Sequence, residues 1–127
     1  MKDTRIFSKK DLTNILPQKS TAQMLDGVEF NPDFTHKIMS YKKIEPNGIW
    51  LRGHFPDKPI FPGHCLMECA FLTALALVKI TMPEVKGIPM IVRVGKTSFR
   101  LPALVGDTIE FYLTLMGNLD VKISSVV

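Results

Sequence analysis

Two ionisable side chains stand apart by their surroundings: His54, at the head of a proline-rich loop, and Glu68, fourteen residues later inside an apolar run. Over residues 65–78 Glu68 is the only carboxylate, set among Leu66, Met67, Cys69, Ala70, Phe71 and Leu72. A carboxylate left unpaired among such groups costs several kcal/mol or takes up a proton. A carboxyl group that keeps its proton near neutrality is what a general acid needs. Histidine is the side chain best suited to exchanging a proton in that range, so His54 and Glu68 together supply a base and an acid flanking a helix N-terminus. Plainer roles stay open for both: Glu68 on a narrow exposed stripe or in a structural hydrogen bond, and His54 as a structural residue after Gly53.

The helix N-terminus is a third resource. Its first backbone N–H groups, starting at Gly63, have no partner inside the helix and carry the positive end of the dipole, so they could hold a carbonyl oxygen. Gly63 brings no side chain to block a ligand's approach to the backbone. A base, an acid and an oxyanion site meet the needs of proton abstraction beside a carbonyl followed by loss of a β-hydroxyl. His64, in the first turn, stands near the same place, where it would touch the ligand.

Two other chemistries have candidate residues on the same segment. His64, Cys65, Glu68 and Cys69 fall at i, i+1, i+4 and i+5 of a helix and could gather metal ligands on one side. Cysteine is common in buried helices for its size alone, and the expectation is no metal. Neither Cys65 nor Cys69 has an obvious base beyond His64, which argues against a thiol nucleophile. The seven methionines read as core filling.

The elements that would hold these residues follow from pattern. Pro56, Pro59 and Pro62 forbid both helix and central strand between Gly53 and Gly63, while Phe55, Ile60 and Phe61 argue that this loop is ordered. Residues 64–80 contain no Gly or Pro and close at Met82-Pro83, which predicts the one long helix, apolar all round and buried on nearly every face. A short covering helix is predicted over 9–16, with Ser8 as N-cap and Pro17 as the stop. Strands are expected over 37–44, 49–52, 88–94, 108–116 and 121–127, and residues 96–101 alternate; between 21 and 46 the pattern is weaker, with turn signals at Asp26-Gly27 and Asn31-Pro32-Asp33. Glu45-Pro46-Asn47-Gly48, Val105-Gly106-Asp107 and Gly117-Asn118 read as further turns. A long helix inserted among antiparallel strands is an α+β arrangement.

Composition sets the outer bounds. The 127 residues fit one domain with a single core, 46% hydrophobic and 22% charged, far from the signature of disorder. The +4 charge is scattered without interleaved aromatics, so nucleic acid is not expected; an acidic protein partner suits it better. Two cysteines within an apolar run and no secretory leader pattern suggest a reducing, cytoplasmic location. The apolar stretch 64–78 is fifteen residues and carries Glu68, too short and too polar for a membrane span.

The run His54-Phe55-Pro56-Asp57-Lys58-Pro59-Ile60-Phe61-Pro62-Gly63, followed five residues later by Glu68, resembles the signature of bacterial 3-hydroxyacyl-(acyl carrier protein) dehydratases of the FabZ type. Weaker similarity runs through Leu16-Pro17, Asp26, Phe99-Arg100-Leu101-Pro102 and Val105-Gly106-Asp107. The resemblance implies a hotdog fold, in which a curved antiparallel sheet wraps the long helix. It also implies a homodimer that takes His54 from one subunit and Glu68 from the other, with further assembly into trimers of dimers in many members. By the same carry-over His54 removes the α-proton, Glu68 protonates the departing hydroxyl, the Gly63 N–H polarises the thioester carbonyl, and His64 and Phe55 join Gly63 in binding substrate. The substrate arrives on the phosphopantetheine arm of acyl carrier protein, and no metal or bound cofactor is implied.

The pattern departs from the family at Leu72, where a Gln usually follows Glu by one turn, and at residues 18–22, usually basic and aromatic. It departs also at Val127, beyond which relatives usually carry one more strand. These departures suit a divergent paralogue. They keep two alternatives in view: a weak or inactive hotdog subunit that binds acyl carrier protein, and a hotdog thioesterase or enoyl isomerase.

Overall fold

The computed structural model describes residues 3–19, 22–46, 60–86, 94–99, 101–116 and 121–126. Within them lie β1 (Arg5–Ser8), α1 (Lys9–Ile15), β2 (Gly27–Phe30), β3 (Lys37–Lys43), α2 (Gly63–Thr81), β4 (Thr108–Leu115) and β5 (Val121–Val126). The strands form one antiparallel sheet in the order β1-β2-β3-β4-β5. Alternation decides which face is inside. Ile109, Phe111 and Leu113 of β4 are buried and Tyr112 is exposed, while Ile38 and Ser40 of β3 and Val28 of β2 continue the inner face. Against it lies α2, burying Cys65, Cys69, Leu72 and Ala76, spaced four, three and four apart along one helical stripe.

The helix is therefore not buried on nearly every face as expected. Leu66, Ala70, Phe71 and Ala74 are only partly covered, so α2 has an inner stripe on the sheet and an apolar outer stripe half open. It also outruns the apolar stretch read from sequence. At 19 residues it is long and apolar enough to cross a membrane by length and composition, and what identifies it as a core helix is its buried stripe in the same cluster as Val28, Ile38 and Phe111.

Two strands went unread in the sequence. β1 and β2 are four residues each, too short for periodicity to register, and Ser8 ends β1 while also capping α1. Asp26-Gly27, read as a turn, instead opens β2. A Cβ on Gly27 would lie 2.4 Å from the Tyr41 ring on the paired strand, so this glycine serves a close cross-strand approach. The Asp26 carboxylate accepts from the Lys43 N–H at 2.7 Å and lies 3.7 and 3.9 Å from the ammonium groups of Lys9 and Lys42. Lys19, in the stretch that departs from the family pattern, donates to the carbonyl oxygens of Thr13 and of Leu16, the latter at 2.8 Å, and so closes the C-terminal end of α1.

Residues 96–99 and 101 form no strand. The strands expected over 49–52 and 88–94 lie outside the described residues, apart from Val94, which is half exposed and in no strand. The turn at 105–107 is present: Gly106 has φ +94, a conformation that favours glycine, and the Asp107 carboxylate accepts from the Leu104 N–H at 2.9 Å. This turn bears on the site, because Leu104 bridges Ile60 and the Phe61 N–H donates to the Ala103 carbonyl at 2.8 Å. Those contacts fix the chain two residues before α2 begins.

Candidate active site

Pro62 is the N-cap of α2, with φ −60 and ψ 139, and it gives the helix no side-chain cap. Its carbonyl accepts from the N–H groups of Cys65 and Leu66 at 3.0 and 3.2 Å. Among the described residues the Gly63 N–H meets no acceptor, and no acidic residue occupies the first turn to neutralise the dipole. An orphan donor at the positive end of a helix of five turns is the arrangement that an oxyanion or carbonyl oxygen satisfies.

Beside it opens a cleft of about 230 Å³, lined by Ile60, Phe61, Gly63, Leu66, Phe99 and Leu101 together with Pro102 and Ala103. Among the described residues none that lines it is charged. Phe61 is buried at its base, whereas Phe99 and Leu101 are 56% and 73% exposed and form its outer lip. Gly63 faces the Phe99 ring, which a Cβ at residue 63 would meet at 3.6 Å. In the sequence Phe99 and Leu101 stand out by their alternation and by their resemblance to the family, and neither signal shows what they face.

Glu68 is half-buried, one turn below the exposed His64 on nearly the same side of α2. Among the described residues it has no hydrogen bond and no ion pair. Its charge reaches the two thiols. Burial raises the Cys65 thiol, with Glu68 adding to the effect, and burial pushes Cys69 up to about 12. Both sulfurs therefore stay protonated near neutrality and are poor nucleophiles. The candidate metal ligands divide between two faces, since Cys65 and Cys69 are fully buried and His64 is exposed, and no group of three ligands assembles among the described residues.

Of the residues read from sequence, the structure brings Gly63, His64 and Glu68 to the first two turns of one helix. His54 and Phe55 lie outside the described residues. Leu72, where the family usually has Gln, is fully buried in the core cluster and offers Glu68 no polar partner.

Residues 16–123 match the model of the FabA-like domain. The 3-hydroxyacyl-(acyl-carrier-protein) dehydratase FabZ of Clostridium tetani is 33% identical over 108 residues, covering 84% of this chain and 75% of the relative. The enzyme of the same name from Helicobacter pylori is 31% identical over 118 residues, covering 88% and 74%. In fold, the chain is similar to a subunit of the dehydratase heterocomplex ApeI:P from Xenorhabdus doucetiae, with a TM-score of 0.54 at 19% identity over 75% of this chain and 80% of that one. With its antiparallel sheet packed on one long helix and its match across nearly all of the sequence, the chain belongs to the FabA-like family of hotdog-fold proteins.

Proposed function

We propose that this protein is a 3-hydroxyacyl-thioester dehydratase acting on substrates carried by acyl carrier protein in fatty-acid or polyketide-type biosynthesis. The observation that carries the reading is the meeting, at one end of α2, of an apolar cleft with a Gly63 N–H and a Glu68 carboxyl that have no partner among the described residues. The acyl thioester lies with its carbonyl oxygen on the Gly63 N–H, which makes the α-proton more acidic. His54 takes that proton, the electron pair left on Cα forms the double bond to Cβ, and the Cβ–O bond breaks. Glu68 gives its proton to the leaving hydroxyl, and water and a trans-2-enoyl thioester depart. The proton on His54 returns to Glu68 through solvent, closing the cycle. The α2 outer stripe of Leu66, Ala70, Phe71 and Ala74 supports a homodimer, in which His54 reaches Glu68 from the opposite subunit. Cytoplasmic location belongs to the same proposal.

Leu72 favours a second reading, a hotdog subunit that binds acylated carrier protein without turnover, because this buried apolar side chain gives Glu68 no polar partner one turn further along α2. Product masses separate the two. Purified protein incubated with 3-hydroxyacyl carrier-protein substrates of several chain lengths is expected to yield species lighter by one water. Binding without mass loss at every length would favour the non-catalytic subunit.

A further inference from the structure

The inner face of β3 carries two polar residues, Lys42, whose ammonium lies by the Asp26 carboxylate, and Ser40. Ser40 is fully buried, flanked in the ladder by Val28 of β2 and Phe111 of β4. Its hydroxyl lies 2.6 Å from that of Thr73, equally buried on α2, and Thr73 donates at 2.7 Å to the Cys69 carbonyl. Since the Thr73 proton is committed to that carbonyl, the Ser40 hydroxyl must be the donor between the pair. The result is a directed chain from strand to helix: Ser40 to Thr73 to the carbonyl of the residue that follows Glu68.

Apolar contacts hold a helix on a sheet without specifying its rotation closely, whereas a buried hydroxyl that loses its partner pays the cost of desolvation with nothing to replace the bond. Thr73 is five residues beyond Glu68, so the two side chains leave the helix about 140° apart. Holding Thr73 on the sheet therefore aims Glu68 away from it, toward the side where His64 is exposed. We propose that Ser40 and Thr73 are positioning residues that set the rotation of α2 and so hold Glu68, and Gly63 with it, in register with the reacting substrate; this rests on the dehydratase reading. The hydroxyl pair supplies a constraint on the helix that Leu72 does not.

The test compares wild type, Ser40→Ala, Thr73→Val and Thr73→Ser in steady-state dehydration, below the melting temperature of each. Displacement of a catalytic group by a fraction of an ångström is enough to lower turnover severalfold. Ser40→Ala and Thr73→Val are expected to lower kcat about fivefold or more with KM within about twofold, and Thr73→Ser, which keeps the hydroxyl, to restore kcat. Unchanged kcat in Ser40→Ala, or a Thr73→Ser variant as impaired as Thr73→Val, would overturn the positioning role. If Thr73→Val does not fold, Ser40→Ala, which removes a single oxygen, decides the matter. An inactive wild type overturns the dehydratase reading and this role together; an active wild type matched by Ser40→Ala overturns the role alone.

Discussion

Gly63 shows how a single residue can be read by elimination. Its φ is not in the left-handed region, which among the described glycines only Gly106 occupies, so the backbone does not require glycine there. Packing does not require it either, because a Cβ would make an ordinary 3.6 Å contact with Phe99. What remains is the approach of a ligand to the N–H. Gly63→Ala is thus expected to fold with stability equal to wild type or higher by up to ~1 kcal/mol, while kcat/KM falls at least about tenfold as the methyl group narrows the oxyanion site. Thermal melts beside steady-state kinetics read both quantities, and an Ala variant with full activity would show that the glycine has no part in binding. Glu68 itself was legible from sequence as the one carboxylate in an apolar run. Its half-buried position was not, because the sequence shows that α2 is apolar on all sides without showing which side meets the sheet.

At the scale of elements, the long helix and the strands β3, β4 and β5 were legible because each is six residues or longer, with a clear period or a bounding turn. β1 and β2 were not, since a four-residue strand shows two inward positions at most, and the glycine opening β2 mimics a turn. The N-terminus of α1 was half legible: Ser8 was expected as the cap, and the structure adds Asp11, whose carboxylate accepts from the Ser8 N–H at 2.9 Å while the Ser8 hydroxyl accepts from the Asp11 N–H at 3.2 Å. The bond from the Ser8 backbone, and then that from its side chain, holds the Asp11 carboxyl below its ordinary value of 3.8. A carboxyl lowered on folding stabilises the folded state at pH values above the unfolded value, and that contribution is lost as pH falls through the lower folded value. In a carbon-detected titration the Asp11 carboxyl is expected to turn over below 3.8 and to move back toward it in Ser8→Ala. A midpoint unmoved by that substitution would show that the Ser8 side chain has no part in lowering it, since Ala keeps the backbone N–H.

For the whole molecule, the described residues place an apolar cleft at the end of the core helix and leave an apolar stripe of that helix half open, which under the proposed function suits completion of the site by a second subunit. Two contacts anchor this helix: the turn at 104–107 holds Ile60 and Phe61 just before α2, and Ser40 of the sheet holds Thr73 within it. Under the proposed function this scaffold moves water on and off the β-carbon with Glu68 as the proton donor in dehydration, and isotope transfer in the reverse direction probes that step. A trans-2-enoyl carrier-protein substrate incubated in ¹⁸O-labelled water with wild-type protein is expected to acquire the label in its 3-hydroxyl, and Glu68→Gln, folded but lacking the carboxylate that takes the proton from water in this direction, to incorporate it at least about a hundredfold more slowly. Label incorporated at equal rates by both proteins, or by neither, would contradict the account.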